Sequence, residues 1–317
     1  MKTLSDQAIG TAHGKIILIG EHSVVYNEPA IALPFPAANV EVRIKAIEGE
    51  SKIFSSYYNG PLASTPVSLY NLRRTIETIC EDLNVDTSGM LITVSSLIPP
   101  ERGMGSSAAV ATALIRALYN FFECSLDNET LLYYIGISEK IAHGNPSGLD
   151  ARITSGTKPV YFIKSKSPET FDLQVTGYLI AADTGLKGQT REAVQDVAKL
   201  LRKSKRKTKL LISSLGSLTA QAKSAIEEDD IAALGGILSK AHRHLSDLSV
   251  SNEKLDHLVQ TALEQGALGA KLTGSGRGGC MIALAKTFDQ AKHIATELMK
   301  NGAVETWIHS LGVNTHE

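Results

Sequence analysis

The sequence is poor in three features that would narrow its class at once: cysteine, net charge and long apolar runs. Only three cysteines occur in 317 residues, without CxxC spacing, so neither a disulfide framework nor a zinc site is indicated. A formal net charge of −1 argues against a surface built to hold nucleic acid or an anionic membrane. The sequence has no run of 18 apolar residues and no apolar signal-peptide segment near its start. We therefore expect a cytoplasmic protein with no nucleic-acid or membrane partner.

What is present is the composition of an ordinary globular protein, with 43% hydrophobic and 21% charged residues. Strand and helix patterns are mixed without strict alternation, which favours an α+β fold. We place a domain boundary near residue 170, which gives domains 1–170 and 171–317. The predicted strands cover 16–19, 40–46, 91–98, 160–163, 178–182 and 280–285, and the predicted helices cover 106–122, 128–142, 189–225 and 230–266, before a final helix and strand.

The stretch PPERGMGSSAAVATAL, residues 99–114, contains a glycine loop that runs into a helical pattern. GMGSSA matches G-x-G-x-x-A, but a dinucleotide site needs a second strand that ends in an acid about twenty residues on, whereas Glu123 closes the helical pattern. A Walker A loop is excluded because neither Lys-Ser nor Lys-Thr follows the glycines. Two interpretations remain: a phosphate-binding loop at a helix N-terminus, with Ser106 as the N-cap, or a serine-capped turn.

Two acids follow this loop. Glu139 shares the apolar face of the predicted helix 128–142 with Leu132, Ile135 and Ala142. A buried carboxylate is costly unless it is paired or binds a metal, so Glu139 is either a structural acid or a metal ligand. Asp150 comes after the turn HGNPSG, which could bring the strand or loop that follows it back towards this helix. Two acids near a phosphate loop suggest one for Mg²⁺ and one for a substrate proton.

Two further segments are chemically suggestive. Lys15 precedes the first strand pattern, and Glu21 and His22 follow it; a lysine at a strand start is commonly solvated, so this segment alone decides nothing. TGSGRGG, residues 273–279, is too rich in glycine for an ordinary turn. It predicts backbone packed closely against another segment or a ligand.

Two other features suggest no site. The basic run RKSKRKTK, residues 202–209, has no neighbouring aromatics and is typical of a solvated helix face. His242 and His244 are two apart on a predicted helix, so their side chains point to different faces and do not predict a metal site.

Four segments, in order, resemble the GHMP small-molecule kinases, and within that superfamily the mevalonate kinase family. They are GKIILIGEHSVVYNEPAIALP, PPERGMGSSAA, EKIAHGNPSGLD and KLTGSGRGGCMIAL. The resemblance spans about residues 8–285. The second segment marks the superfamily, whereas GEHSVVY and HGNPSGLD together indicate the mevalonate kinase family.

The resemblance implies an N-terminal domain like the second domain of ribosomal protein S5 and a ferredoxin-like C-terminal domain. It also implies transfer of the γ-phosphoryl group of ATP to the C5 hydroxyl of (R)-mevalonate, with Mg²⁺, in isoprenoid synthesis, and a homodimer as the candidate assembly.

Carried over residue by residue, the resemblance implies a role for each of several side chains. Asp150 and Lys15 would be catalytic, and Ser107 and Glu139 would hold Mg²⁺. The residues implied for ATP are Ser96, Glu101, Arg102, Gly103, Met104, Gly105, Ser106 and Ser107. Those implied for mevalonate are Glu21, His22, Ser23 and Thr184. The hypothesis requires Lys15, Ser107, Glu139 and Asp150 to lie together.

The sequence departs from the family pattern at two positions. His13 stands where many members have proline, and Arg277 stands among the glycines of the fourth segment, where small residues are common. Arg277 could contact a phosphate or face solvent. A kinase for another small alcohol or for phosphomevalonate, and a nucleotide-binding regulator without turnover, stay open as alternatives, with a dehydrogenase as a remote one. Intact Lys15, Glu139 and Asp150 argue against the regulator.

Overall fold

The computed structural model describes residues 5–144 and 148–312. They fall into two compact units that interleave along the chain. The first unit contains the chain up to Lys15, Pro34–Pro100 and Gly105–Thr157. The second contains Ile16–Leu33, Glu101–Met104 and the chain from Lys158 onward. The boundary near residue 170 and the ranges 1–170 and 171–317 stay a prediction.

Strands and helices are mixed throughout the described residues, which confirms the α+β class. The strands are β1 (Gln7–Ile19), β2 (Ala30–Ala46), β3 (Lys52–Phe54), β4 (Asn59–Pro61), β5 (Met90–Ser96), β6 (Val160–Phe162), β7 (Glu169–Thr170), β8 (Gly177–Asp183), β9 (Gly269–Leu272), β10 (Cys280–Ala285) and β11 (Glu305–Leu311). The α-helices are α1 (Tyr70–Leu83), α2 (Ser106–Phe121), α3 (Asn128–His143), α4 (Leu149–Ser155), α5 (Thr190–Lys203), α6 (Lys205–Glu227), α7 (Ile231–Asp247), α8 (Glu253–Glu264) and α9 (Phe288–Lys300).

The first unit is built on a sheet in the order β4-β3-β5-β2, with β1 paired to β2. β3 and β5 are parallel, whereas β5 and the 40–46 part of β2 are antiparallel. Inward side chains alternate with outward ones along that part of β2, so Val40, Val42 and Ile44 are fully buried. The helices α1, α2 and α3 pack against one another, and α2 buries its alanine-rich face.

The second unit contains an antiparallel sheet in the order β11-β8-β10-β9. In chain order this is strand 4-1-3-2, the arrangement of a ferredoxin-like sheet. The central strand β10, CMIALA, is buried along its whole length, as expected for a strand covered on both faces. The segment Ala30–Ala32 pairs with β6, which also pairs with β7.

Helix boundaries differ from the predictions in three places. Ser106 is the first residue of α2 rather than its N-cap; Gly105 occupies the cap in the left-handed region (φ +72°), and no side chain caps the helix. The predicted helix 189–225 is broken at Ser204, whose extended φ of −132° ends α5 at Lys203, and α6 begins at Lys205.

A third difference lies between α7 and α8, within the predicted helix 230–266. There Ser249 is left-handed (φ +61°), and Asn252 caps α8 by accepting a hydrogen bond from the Leu255 N–H. The turn HGNPSG lies partly outside the described residues. Within the described part of the chain, no helix combines the length and apolar character that crossing a membrane requires.

Candidate active site

Lys15 and Asp150 form an ion pair in the first unit. The Lys15 Nζ lies 3.2 Å from Asp150 Oδ1, and the Lys15 side chain is 9% exposed whereas that of Asp150 is 39% exposed. Lys15 lies on β1. Asp150 lies in the first turn of α4, and this helix begins directly after left-handed Gly148. We expected Asp150 on a strand or loop after the turn, and its place on a helix corrects that expectation. An acid in a first helical turn is favoured by the helix dipole.

Gly105 lies against the stem of Lys15. A Cβ atom at Gly105 would be 2.8 Å from Lys15 Cγ and 3.3 Å from Thr154 Cγ2. Gly105 also has φ +72°, a conformation that side chains disfavour. Glycine at this position therefore lets the chain pass close to the buried lysine as it enters α2.

Glu139 is buried on α3, as predicted, and accepts a hydrogen bond from Ser107 at the start of α2. Burial raises the pKa of Glu139, the Ser107 bond and the charges of His143 and Lys15 oppose that rise, and the charge of Asp150 adds to it. The four residues Lys15, Ser107, Glu139 and Asp150 thus lie close enough for their charges and hydrogen bonds to interact.

The buried face of α3 differs from the predicted one. Leu131, Tyr134, Ile135 and Ser138 are buried beside Glu139, whereas Leu132 is half-buried and Ala142 is exposed. The predicted stripe was therefore wrong by part of a turn. The polar neighbours of Glu139 explain why its carboxylate is tolerated there.

The carboxylate of Glu139 provides an observation that bears on metal binding. Its Oε1 atom is buried without a hydrogen-bond partner, with His143 Nε2 3.8 Å away. Among residues 5–144 and 148–312, no three His, Cys, Asp or Glu side chains cluster as a metal cage would need. Mg²⁺ bound with a nucleotide needs only one or two carboxylates, because phosphates and water supply its other ligands. The oxygen donors of Glu139 and Ser107 fit such an ion.

The glycine loop from Glu101 begins in the second unit, where Arg102 is its anchor. Arg102 Nε donates to Asp183 Oδ1 at 2.8 Å and its Nη2 donates to the Gly185 carbonyl at 3.0 Å. Glu101 forms an ion pair with Lys187, and Met104 is buried against Cys280. The start of the loop is therefore fixed by side chains within the second unit.

The backbone of the glycine loop is left-handed at Glu101, Gly103 and Gly105. Ser106 and Ser107 follow, half-buried at the start of α2, where helical N–H groups lack intrahelical partners. Ser96, by contrast, is exposed, and its hydroxyl is hydrogen-bonded to the backbone of Ile98.

The four residues predicted to bind mevalonate all lie in the second unit, and all four are buried. Glu21 pairs with Lys271. The His22 Nε2–H donates to the Ser275 carbonyl at 2.8 Å, and burial lowers the pKa of this histidine. Ser23 donates to the Gly20 carbonyl at 3.2 Å, and Thr184 donates to the Gly279 carbonyl at 2.7 Å. The two hydroxyl protons are thus engaged, which leaves acceptor positions for a ligand.

The segment 273–279 packs closely against other backbone, which confirms that expectation. A Cβ atom at Gly276 would lie 1.9 Å from the Val250 carbonyl oxygen, and one at Gly278 would lie 2.3 Å from that of Lys187. The Arg277 side chain is 21% exposed. It pairs with Asp196 at 2.7 Å and donates to the Ser249 carbonyl.

Two buried charged residues that pair with predicted site residues, Lys271 with Glu21 and Asp183 with Arg102, were not themselves predicted. Lys271 is fully buried within the strand GAKL, so its signal was a cation inside an apolar run. Asp183 directly precedes the predicted Thr184. His242 was discounted as a metal ligand; its Nδ1 accepts from the Leu272 N–H, and its Nε2 lies 3.2 Å from Asp256.

His13 and the basic run also have defined places. The His13 Nε2–H donates to the Gly156 carbonyl at 2.7 Å, which ties β1 to the residue after α4. This histidine therefore makes a side-chain hydrogen bond that a proline at the same position cannot make. The run 202–209 lies at the junction of α5 and α6, and most of its residues are exposed.

Comparisons with known proteins agree with one another. The family model of the GHMP kinase N-terminal domain matches residues 71–156, and that of the GHMP kinase C-terminal domain matches residues 222–304. Mevalonate kinase of Thermococcus sibiricus is 32% identical over 322 residues, 94% of each chain. Mevalonate kinase of Pyrococcus furiosus is 31% identical over 313 residues, 92% of each chain.

Solved structures give the same picture. The crystal structure of L. major mevalonate kinase in complex with R-mevalonate has a TM-score of 0.84 and 26% identity, and covers 100% of both chains. That of mevalonate kinase from methicillin-resistant Staphylococcus aureus MRSA252 has a TM-score of 0.75 and 36% identity, and covers 98% of this chain and 100% of that one.

Proposed function

Because the chain belongs to the GHMP kinases, and within them to the mevalonate kinase family, we propose that it phosphorylates (R)-mevalonate at the C5 hydroxyl. The products are 5-phosphomevalonate and ADP. The observation that carries this proposal is the Lys15–Asp150 ion pair beside the buried Glu139 carboxylate. In phosphoryl transfer, positioning and charge neutralisation supply most of the catalysis, with a base to orient the nucleophile.

Asp150 is the base in this proposal. Its carboxylate is partly exposed, so a hydroxyl can approach it, and it accepts the proton from the C5 oxygen. That oxygen forms the new bond to the γ-phosphorus as the bond from phosphorus to the ADP oxygen breaks. The proton ends on Asp150 and the electron pair of the broken bond ends on ADP.

Lys15 acts on the same oxygen through its charge. Its ammonium is buried at 3.2 Å from Asp150, so its field is screened less than that of an exposed lysine. A cation there lowers the pKa of the attacking hydroxyl and offsets the negative charge that gathers on the transferring group. The ion pair also orients the Asp150 carboxylate.

The proposed metal ligands lie at the start of α2 and on α3, and the proposed nucleotide loop leads into α2. Glu139 and Ser107 would hold Mg²⁺, whose charge would neutralise the ATP phosphates. The unpartnered Oε1 of Glu139 supports this assignment, since a buried carboxylate oxygen without a donor favours a cation. Residues Glu101–Ser107 would wrap the phosphates, with N–H groups at a helix N-terminus, and Ser96 would lie beside them.

The assignment for mevalonate is Glu21, His22, Ser23 and Thr184. Their burial supports roles as fixed acceptors, since the Ser23 and Thr184 hydroxyl protons are already donated to carbonyls. Preorganised acceptors bind a hydroxylated substrate without loss of side-chain entropy. We also propose that the protein is cytoplasmic. We further propose that it is a homodimer, and light scattering would test this by measuring a mass twice that of one chain.

The proposal is tested by ADP release from the purified protein with ATP and Mg²⁺. The substrate panel is mevalonate, phosphomevalonate, homoserine and galactose. We expect release that depends on mevalonate and is at least a hundredfold slower with each of the others. Release that depends on phosphomevalonate or another alcohol instead would assign the chain to a different acceptor, and no release with any of them would contradict kinase activity.

A further inference from the structure

Lys271 is the most deeply buried charged side chain among the described residues. It is fully buried on β9, and its ammonium donates both to the Glu21 carboxylate and to the Leu272 carbonyl. The Glu21 side chain is only 1% exposed. Both members of this ion pair are therefore removed from water.

Stability is a poor explanation for such a pair. The loss of hydration of two buried ions can exceed their attraction, and apolar residues of similar size are often no less stable. A buried ion pair does fix the relative position of two chain segments, because each charge tolerates few other arrangements. The pair is thus better explained by what it positions.

The pair belongs to a set of three contacts between the same two segments. Thr273 Oγ1 donates to the Ile17 carbonyl at 2.8 Å, and the His22 Nε2–H donates to the Ser275 carbonyl at 2.8 Å. His22 has φ +61°, a left-handed conformation that a residue other than glycine adopts at an energetic cost. The chain from Lys271 to Ser275 thus supports a strained turn.

We infer that Lys271 is a positioning residue for the substrate turn, Gly20–Ser23, acting through the Glu21 carboxylate. The inference rests on the proposed function, in which Glu21 and His22 contact mevalonate. Lys271 itself is fully buried and touches no substrate. Its role is to fix the Glu21 carboxylate and, through the turn, the orientation of His22.

The orientation of His22 has a chemical consequence. A carbonyl oxygen only accepts hydrogen bonds, so the contact with Ser275 places the His22 proton on Nε2. In the neutral ring Nδ1 is then an acceptor, suited to a substrate hydroxyl. Burial lowers the pKa of His22 below its usual 6.5, the Ser275 hydrogen bond partly opposes that shift, and the charges of Arg277 and Lys271 add to it. The lowered pKa favours the neutral ring at neutral pH.

The test is a double-mutant cycle of Lys271→Met and Glu21→Gln, with separate KM values for mevalonate and ATP. We expect Lys271→Met to raise the KM for mevalonate at least tenfold and to change the KM for ATP less than twofold. In the Glu21→Gln background, the same substitution should change the KM for mevalonate less than threefold, because its partner is already altered. Lys300→Met, which removes an exposed ion pair with Glu297, is the matched control and should change neither constant.

Two results would overturn the inference: an unchanged KM for mevalonate in Lys271→Met, or an equal effect of that substitution in both backgrounds. If Lys271→Met does not fold, Glu21→Gln is compared with the double variant, in which no buried charge lacks a partner. A KM for mevalonate within threefold between them supports the inference, and a tenfold difference contradicts it.

A readout without substrate separates this inference from the proposed function. In nitrogen-15 NMR at neutral pH, we expect wild-type His22 to carry its proton on Nε2 and the Lys271→Met protein, or the double variant if the single one does not fold, to show averaged tautomers. An unchanged His22 signal in the folded variant contradicts positioning. Lack of mevalonate-dependent turnover in the wild type contradicts the proposed function alone.

Discussion

Replacement of Asp150 by Asn tests the phosphoryl-transfer site with a minimal change. Asn has nearly the size of Asp, so packing around α4 is preserved, but it carries no charge and does not accept the substrate proton. The Lys15 ammonium, 3.2 Å from Asp150 Oδ1, loses its partner. We expect turnover to fall at least a hundredfold with a KM for ATP close to the wild-type value.

The magnitude follows from two effects. General-base help contributes roughly a hundredfold to ten-thousandfold. Two unit charges at the separation of this pair attract by about 5 kcal/mol at an effective dielectric of about 20 and by about 1 kcal/mol in bulk water. Because Asp150 is 39% exposed, the lower end applies, and about 1.4 kcal/mol is one factor of ten in rate. Loss of the proton acceptor therefore dominates.

The assay is mevalonate-dependent ADP release, with ATP affinity measured separately by equilibrium binding. Asp172→Asn is the matched control, since Asp172 forms a comparable but exposed pair with Lys158 at 2.7 Å, and its turnover should stay within twofold of wild type. Turnover of Asp150→Asn within tenfold of wild type, with ATP binding intact, would show that Asp150 does not act as the base.

Three further predictions concern the metal, pH and packing. Glu139→Gln should raise the Mg²⁺ concentration for half-maximal activity at least tenfold, whereas exposed Glu129→Gln on the same helix should not. An unchanged Mg²⁺ requirement in Glu139→Gln would contradict the assignment of Glu139 as a metal ligand. Because the pKa of His22 is lowered in the folded state, the unfolded state binds a proton at this histidine more readily. The contribution of neutral His22 to the free energy of unfolding is therefore present above about pH 6.5 and is lost as pH falls. Between about pH 7.5 and about pH 5.5, the free energy of unfolding in urea should fall less in His22→Gln than in the wild type. An equal fall in both proteins contradicts this prediction. Gly236→Ala, with open space around it, should stabilise by up to about 1 kcal/mol; Gly235→Ala, whose Cβ would lie 2.4 Å from the Leu268 oxygen, should destabilise by about 2 kcal/mol or more, and equal effects in urea unfolding would refute the packing argument.

Much of the fold could be predicted because its signals are local. The alternation along β2, the helical spacing of α2 and the apolar run of β10 each identify an element from neighbouring residues. The breaks at Ser204 and after α7 were missed since both flanking segments keep a helical pattern. Asn252, which caps α8, was the available signal for the second break.

The candidate site could be predicted only in part. A carboxylate on an apolar helix pointed to Glu139, but the short helix that carries Asp150 has too few residues for a periodic pattern. The partner of Glu21 could not be predicted, because Lys271 lies 250 positions away and no local pattern joins them. The roles of Lys15, Ser107, Glu139 and Asp150 stay predictions until turnover is measured.

Phosphorus-31 NMR of the protein with ATP, Mg²⁺ and (R)-mevalonate identifies the oxygen that receives the phosphoryl group. Transfer to the C5 oxygen should give a phosphomonoester signal split by the two C5 methylene protons, in equal amount with ADP. Release of inorganic phosphate alone, or a phosphoester signal without that splitting, would contradict phosphorylation at C5.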